Sequence, residues 1–333
     1  METYGSSRIA GFGAYLPESR VTTDELMRSI NCSRFGIPEN YISRHIGIKE
    51  KRVAEATIEP SGLAALASEI ALTNAGVSAD EIDLIIYTGI TRDYEEPSTA
   101  HSVQCRLGAR KATCMDTPNA CLGFMTGLWV ADSFIYTSEI TNVLVCTGEI
   151  QSRTVNSFLK PLKYTKNKEY FKKVFGVLTV GDAGGAAVVQ RKSSSGEGLN
   201  WIRFYSEGSL RDLCTFERTE NGVKGQMIMQ EISSEILKIH RSLMPNTYEK
   251  LGWHPDNVDI VYAHQVGSRP HEEMIKMTSI QRNKAPISYE CYGNLSSATI
   301  PTCMHLYPPK RGDKILLLGA GSGISICQGG MTY

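Results

Sequence analysis

Gly76-Val-Ser-Ala-Asp-Glu-Ile-Asp-Leu-Ile-Ile-Tyr87 and Gly252-Trp-His-Pro-Asp-Asn-Val-Asp-Ile-Val-Tyr-Ala263 share one pattern, 176 residues apart. In each, a glycine closes a helix, aspartates recur at the same offsets, and an apolar run opens a buried strand. A single match is what two generic helix–glycine–strand units would give; the matching order of the later elements argues for duplication. After each copy come a polar loop, a helix, a strand (112–116 and 286–290), a loop carrying a distinctive residue, a helix and a further strand. Those last strands read Asn142-Val-Leu-Val-Cys146 and Lys314-Ile-Leu-Leu-Leu318. Continuous apolar runs alternating with helices predict parallel strands covered on both faces. The chain therefore reads as two similar α/β halves, 1–190 and 191–333, fused without a linker.

In such an architecture, loops at the carboxyl ends of strands from both halves converge on one site. Three residues stand at such ends. Asp116-Thr-Pro-Asn-Ala-Cys121-Leu-Gly-Phe124 reads as a strand end, a tight turn and a largely apolar helix beginning at Cys121. A thiol there faces unpaired N–H groups and the positive end of the helix dipole, which favour thiolate. Gly123 and Gly127, one turn apart, allow close approach of another backbone or a substrate. His264 ends Asp259-Ile-Val-Tyr-Ala-His264, and Asn294 sits in Tyr292-Gly-Asn294-Leu-Ser-Ser297. Both side chains donate hydrogen bonds of the kind an enolate or oxyanion needs, and histidine also manages protons. A cysteine is more often core filler, and His or Asn can serve simply as a loop cap; their joint placement at strand ends favours chemistry.

Composition excludes other classes. Lys plus Arg and Asp plus Glu both number 35, without the basic excess of a nucleic-acid binder. The first nine residues lack a signal-peptide pattern, and no stretch approaches the roughly 20 apolar residues of a membrane span. A soluble, cytoplasmic protein is expected. The nine cysteines show no metal-ligand spacing, so reduced thiols and no metal are expected.

At these residues the chain resembles the ketoacyl-acyl-carrier-protein synthase III enzymes of the thiolase superfamily. The family's cysteine, histidine and asparagine motifs match Asn119-Ala-Cys121-Leu-Gly-Phe124, His264-Gln265 and Tyr292-Gly-Asn294, and the 30-residue step from His264 to Asn294 is similar too. Further matches are Ile9 to Pro17, Ile46-Gly-Ile-Lys-Glu-Lys-Arg52, Gly181-Asp-Ala-Gly-Gly-Ala186 and Gly319-Ala-Gly-Ser-Gly323. The resemblance implies a thiolase-like fold of two α/β halves in five αβαβα layers, and a homodimer. It also implies a phosphopantetheine thioester (coenzyme A or acyl carrier protein) as substrate carrier, no tightly bound cofactor, and an acyl group loaded onto Cys121. It places an oxyanion hole at the Cys121 N–H and the Gly321, Ser322, Gly323 turn. Arg269 and Arg52 fall where it implies contact with the pantetheine arm.

Two departures point within the family. Initiating synthases carry a histidine-glutamine-alanine-asparagine motif where this chain has His264-Gln-Val-Gly267, and an aromatic residue before the Pro-Ser that here follows Glu96. Both resemble a subgroup that condenses two acyl thioesters head to head without decarboxylation, as in olefin, antibiotic and resorcinol pathways. An acyl donor with no carboxylate to lose needs a base for its α-proton. In the subgroup a loop glutamate crossing the dimer is that base, here Glu96; the bland alternative is a solvated side chain. Between Gln151 and Gly176, seven cations face the single acid Glu169, which suits docking of an acidic acyl carrier protein or else marks a solvated, mobile insertion. The alternatives are a decarboxylating synthase using malonyl thioester, acyl transfer to oxygen or nitrogen, and an inactive partner subunit.

Overall fold

The computed structural model describes residues 1–193, 196–220 and 222–333. Its strands are Glu2–Tyr4 (β1), Ser7–Tyr15 (β2), Arg20–Thr22 (β3), Glu50–Arg52 (β4), Leu84–Tyr87 (β5), Thr113–Asp116 (β6), Asn142–Glu149 (β7), Ala183–Arg191 (β8), Gly198–Ser206 (β9), Cys214–Thr219 (β10), Gly222–Met227 (β11), Ile260–Ala263 (β12), Lys314–Gly321 (β13) and Ser325–Thr332 (β14). Two five-stranded sheets run β2-β8-β7-β5-β6 and β1-β9-β14-β13-β12, and β3-β4 and β10-β11 are separate pairs. The sheets are mixed: β5 runs parallel to β6 and β7, and β12 to β13, while β2, β8, β9 and β14 join antiparallel. The fully parallel reading is corrected accordingly.

The helices are Thr23–Ser29 (α1), Pro60–Ala75 (α2), Thr99–Leu107 (α3), Gly123–Thr137 (α4), Gln151–Tyr164 (α5), Lys168–Val174 (α6), Met229–Leu251 (α7), Ser268–Thr278 (α8), Tyr289–Tyr292 (α9) and Thr299–Leu306 (α10). Burial defines the layers. Phe124 and Leu128 of α4 and Ile300 and Met304 of α10 lie in one apolar cluster with Val143 of the first sheet and Leu317 of the second. The outer face of the first sheet is covered by α2 and α3, through Ala67 and Val103. That of the second is covered by α7 and α8, through Met244 and Ile275. The result is the expected five-layer αβαβα stack.

The duplication is visible in local chemistry. Gly76 and Gly252 end α2 and α7 in the left-handed conformation, at φ +65° and +64°. Asp83 and Asp259 then do one job: each N–H bonds the first residue of the neighbouring parallel strand, and each carboxylate accepts an N–H from it, at 2.9 Å from Asn142 and 2.8 Å from Lys314.

One expected strand is missing. Residues 286–290 form no ladder, because the Gln265 side chain takes their main-chain groups: its Nε2 donates to Pro286 O (2.9 Å) and its Oε1 accepts from Ser288 N (2.8 Å). The second sheet reaches five strands by recruiting β1 at its opposite edge, beside β9. The stretch read as a basic insertion is helical, because Val155, Phe158, Leu162, Phe171 and Val174 turn one face of α5 and α6 into an apolar cluster with α1.

Candidate active site

Cys121 lies two residues before α4 begins at Gly123, rather than at the first residue of that helix. The turn is closed by Leu122 N donating to Asn119 O and Gly123 N to Ala120 O, with Ala120 held at φ +47°. An added Cβ on Gly123 would collide with the Thr88 carbonyl oxygen, and one on Gly127 would come within 2.5 Å of Thr88 Cγ2, so both glycines serve close approach. From the other half, the glycine turn presses on this elbow: a Cβ on Gly321 would lie 3.1 Å from Leu122 N.

His264 follows β12 directly, its N–H donating to Leu318 O at 2.9 Å. Asn294 is buried and oriented: its Oδ1 accepts from Ser296 N at 2.9 Å, which leaves its Nδ2 hydrogens to the cavity. The main chain of Asn294 crosses to the other half, donating to Thr179 O and accepting from Gly181 N, both at 3.0 Å. The shift to glycine at Gly267 has a steric cause: at φ +144°, a Cβ there would lie 2.7 Å from Ile46 Cγ2.

Cys121, His264 and Asn294 line one cavity of about 320 Å³, together with Gly321 and Ser322. Its remaining wall is mostly apolar, with Phe216 and Met227 of the β10–β11 hairpin, Ile232 and Ile236 of α7, and Met274 of α8. Gly323, Glu96, Arg52 and Arg269 lie outside this lining. Glu96 is exposed in the 88–98 loop, where neighbouring Glu95 approaches Arg218 at 3.9 Å. Arg269 is exposed in the first turn of α8. The Arg52 guanidinium donates to Pro17 O and Glu18 O and stacks over Tyr292, so these contacts engage it within the chain.

Electrostatics qualify the expectation of a resting thiolate. Burial pushes the Cys121 thiol above its ordinary range, against a smaller opposite effect of the Ser296 hydroxyl. Burial likewise lowers His264 to about 4, so its imidazole is neutral at neutral pH; its Nδ1 has no partner among the described residues. Glu149, buried beside the cavity-lining Gln151, is raised by burial to about 7 while accepting from Ile90 N and Gln151 Nε2, both at 3.0 Å.

Two supporting residues escaped the sequence reading. Ser297 Oγ accepts from Phe124 N at 2.9 Å and meets Thr88 Oγ1 at 3.4 Å. The signal was the repeat offset itself: 176 residues carry Cys121 to Ser297, Thr88 to His264, and the left-handed Ala120 to Ser296, also left-handed at φ +51°.

Comparisons with known proteins give the family and the fold. Residues 115–208 match 3-oxoacyl-[acyl-carrier-protein] synthase III, and residues 248–331 match its C-terminal family. The beta-ketoacyl-[acyl-carrier-protein] synthase III of Aquifex aeolicus is 32% identical, over 96% of this chain and 97% of the relative. The chain belongs to the 3-oxoacyl-acyl-carrier-protein synthase III family. A synthase III of Caldanaerobacter subterraneus is 30% identical, with 95% of each chain covered. In structure this synthase III member is near-identical to Xanthomonas campestris OleA. The cerulenin-bound form gives a TM-score of 0.90 at 25% identity, covering 99% of this chain and 98% of that one. A cysteine-to-serine form with bound lauric acid and lauroyl-CoA gives 0.91 at 25% identity, covering 99% and 100%. The protein is thus a thiolase-fold acyltransferase, a condensing enzyme forming carbon–carbon bonds between acyl thioesters. Among the described residues no helix is long and apolar enough to cross a membrane, and no group of three or more His, Cys, Asp or Glu is placed to hold a metal ion.

Proposed function

We propose that this enzyme joins two acyl thioesters without decarboxylation, through an acyl-Cys121 intermediate, and works as a homodimer. The observation that carries this reading is the meeting of Cys121 from one half with His264 and Asn294 from the other on a largely apolar cavity. With thiol and imidazole both neutral at rest, His264 takes the Cys121 proton as sulfur attacks the first thioester carbonyl. The tetrahedral oxyanion is held by the Cys121 N–H and the Gly321–Gly323 turn, and the carrier thiolate leaves with the proton from His264. Glu96 of the partner subunit then removes the α-proton of the second thioester, whose enolate oxygen accepts hydrogen bonds from Asn294 Nδ2 and from neutral His264 in the tautomer that carries its proton on Nε2. The enolate carbon attacks acyl-Cys121, sulfur departs, and a β-keto thioester results. The apolar wall suits a long acyl chain, and lauroyl-CoA in OleA supports coenzyme A delivery. Lys160, Lys163, Lys172 and Lys173 are exposed on or beside α5 and α6 and would attract an acidic carrier protein instead.

The curated synthase III relatives favour a second reading, decarboxylative condensation with malonyl thioester. Intact-mass analysis of Cys121 acylation by a long acyl thioester, with product analysis with and without malonyl thioester, separates the two. A β-keto product formed without malonyl, and lost in Glu96→Gln while its acyl adduct persists, is the expected result. Strict malonyl dependence would establish the decarboxylative enzyme and make Glu96 a loop residue.

A further inference from the structure

Lys51 is 2% exposed, at the centre of the short strand β4. In sequence it belongs to the charged run Lys49-Glu-Lys-Arg52, within the family-matching segment that ends at Arg52. In the fold its Nζ donates to Leu178 O at 3.0 Å and Val180 O at 2.8 Å, two main-chain carbonyls of the segment leading into β8. Successive residues of that segment face opposite ways. Leu178 O and Val180 O meet Lys51, while Thr179 O accepts from Asn294 N and Gly181 N donates to Asn294 O. The 178–181 segment is therefore held between the Lys51 amine on one side and the Asn294 backbone on the other. The packing leaves no slack: a Cβ on Gly293 would lie 2.6 Å from Thr179 O and 3.3 Å from Lys51 Cβ, and one on Gly181 would lie 3.2 Å from Lys51 Cβ.

We infer that Lys51 is a positioning residue for the enolate-stabilising step, clamping the 178–181 segment so that the Asn294 amide is presented to the cavity at the height an enolate oxygen requires. The job needs a primary amine on a four-carbon stem, since its terminal donors reach two carbonyls that no ladder or helix satisfies. Burial lowers the ammonium to about 7, with Asp182 the opposing charge; neutral or charged, it retains enough N–H groups for both bonds. The inference rests on the proposed role of Asn294. A displacement of the order of 1 Å in a reacting geometry costs up to about 100-fold in rate.

The test compares Lys51→Met, Asn294→Ala and the double variant. Each is assayed for the single-turnover rate of Cys121 acylation by lauroyl-CoA, read by intact mass, and for the rate at which preformed acyl-enzyme is consumed by a second thioester. Lys51→Met is expected to acylate within about twofold of the parent and to lose about 10- to 100-fold in condensation, in kcat rather than KM. The double variant should condense no more slowly than Asn294→Ala alone, because a residue acting only through Asn294 has nothing left to position. Lys51→Arg keeps a cation with donors at this depth, and is expected to show the same split in milder form and to serve if Lys51→Met does not fold. Losses that multiply in the double variant, or an equal loss of acylation and condensation, would overturn the inference while leaving the function intact. Unimpaired condensation by Asn294→Ala would instead overturn the proposed enolate site, and the inference with it.

Discussion

Cys121, the proposed nucleophile, is not pre-ionised. The elbow N–H groups of Leu122, Gly123 and Phe124 are taken by Asn119 O, Ala120 O and Ser297 Oγ, and burial outweighs the Ser296 hydroxyl, so the thiolate population at neutral pH falls below that of a free cysteine. Because a raised pKa leaves the thiol protonated until pH climbs, alkylation of Cys121 by iodoacetamide should rise about tenfold per pH unit through about pH 9, without a plateau. A plateau below about pH 8 would mean that the thiol is lowered rather than raised in the folded site. His264 shifts in the opposite sense: depressed to about 4, it gains no proton between neutrality and about pH 5, so its role as acceptor persists across that interval. That Cys121, His264 and Asn294 would meet was legible in the sequence, because a distinctive residue where a buried strand ends is a local pattern. Their protonation was not, since burial arises from the opposing half. Lys51 was illegible for a related reason: a charged run carries no mark that one of its members turns inward.

The missing strand shows how one side chain replaces an element. Gln265 bonds Pro286 O, Ser288 N and Tyr289 N, the groups a third parallel strand would have offered to β12. Gln265→Ala would leave several buried polar groups unsatisfied, each costing about 1–3 kcal/mol. We expect urea unfolding to show a loss of at least about 2 kcal/mol, with condensation falling more than stability alone explains, since His264 adjoins the vacated site. A loss below about 0.5 kcal/mol would show that water replaces the amide without penalty. Apolar periodicity at 286–290 could not reveal this, because strand pairing is decided by what lies alongside. The helical nature of α5 and α6 could have been read from Val155, Phe158 and Leu162 at helical spacing, which the density of lysines obscured.

At the scale of the whole molecule the two sheets are tied by the chain as well as by packing. We retain the division into 1–190 and 191–333 as a proposal, with β1 crossing it to edge the second sheet, where Glu2 pairs with Arg203 at 2.5 Å and Lys250 at 3.2 Å. Deleting residues 1–5 removes a three-residue ladder and these solvent-screened pairs, which contribute little to stability. A fall in Tm of a few degrees with unchanged Cys121 acylation is the expected result of calorimetry and intact-mass analysis. The overall architecture was legible because duplication states itself twice, whereas the edge partner of β9 was not, since three residues hold no pattern.

The paired elbows at Ala120–Cys121 and Ser296–Ser297 carry a consequence for inheritance. One elbow carries the proposed nucleophile; the serine of the other accepts from the Phe124 N–H beside it. Two such pieces cannot drift separately. A chimera that takes its first half from one relative and its second from another would have to carry both elbows from the same parent, so recombination within this lineage should respect a boundary drawn through space rather than along the chain.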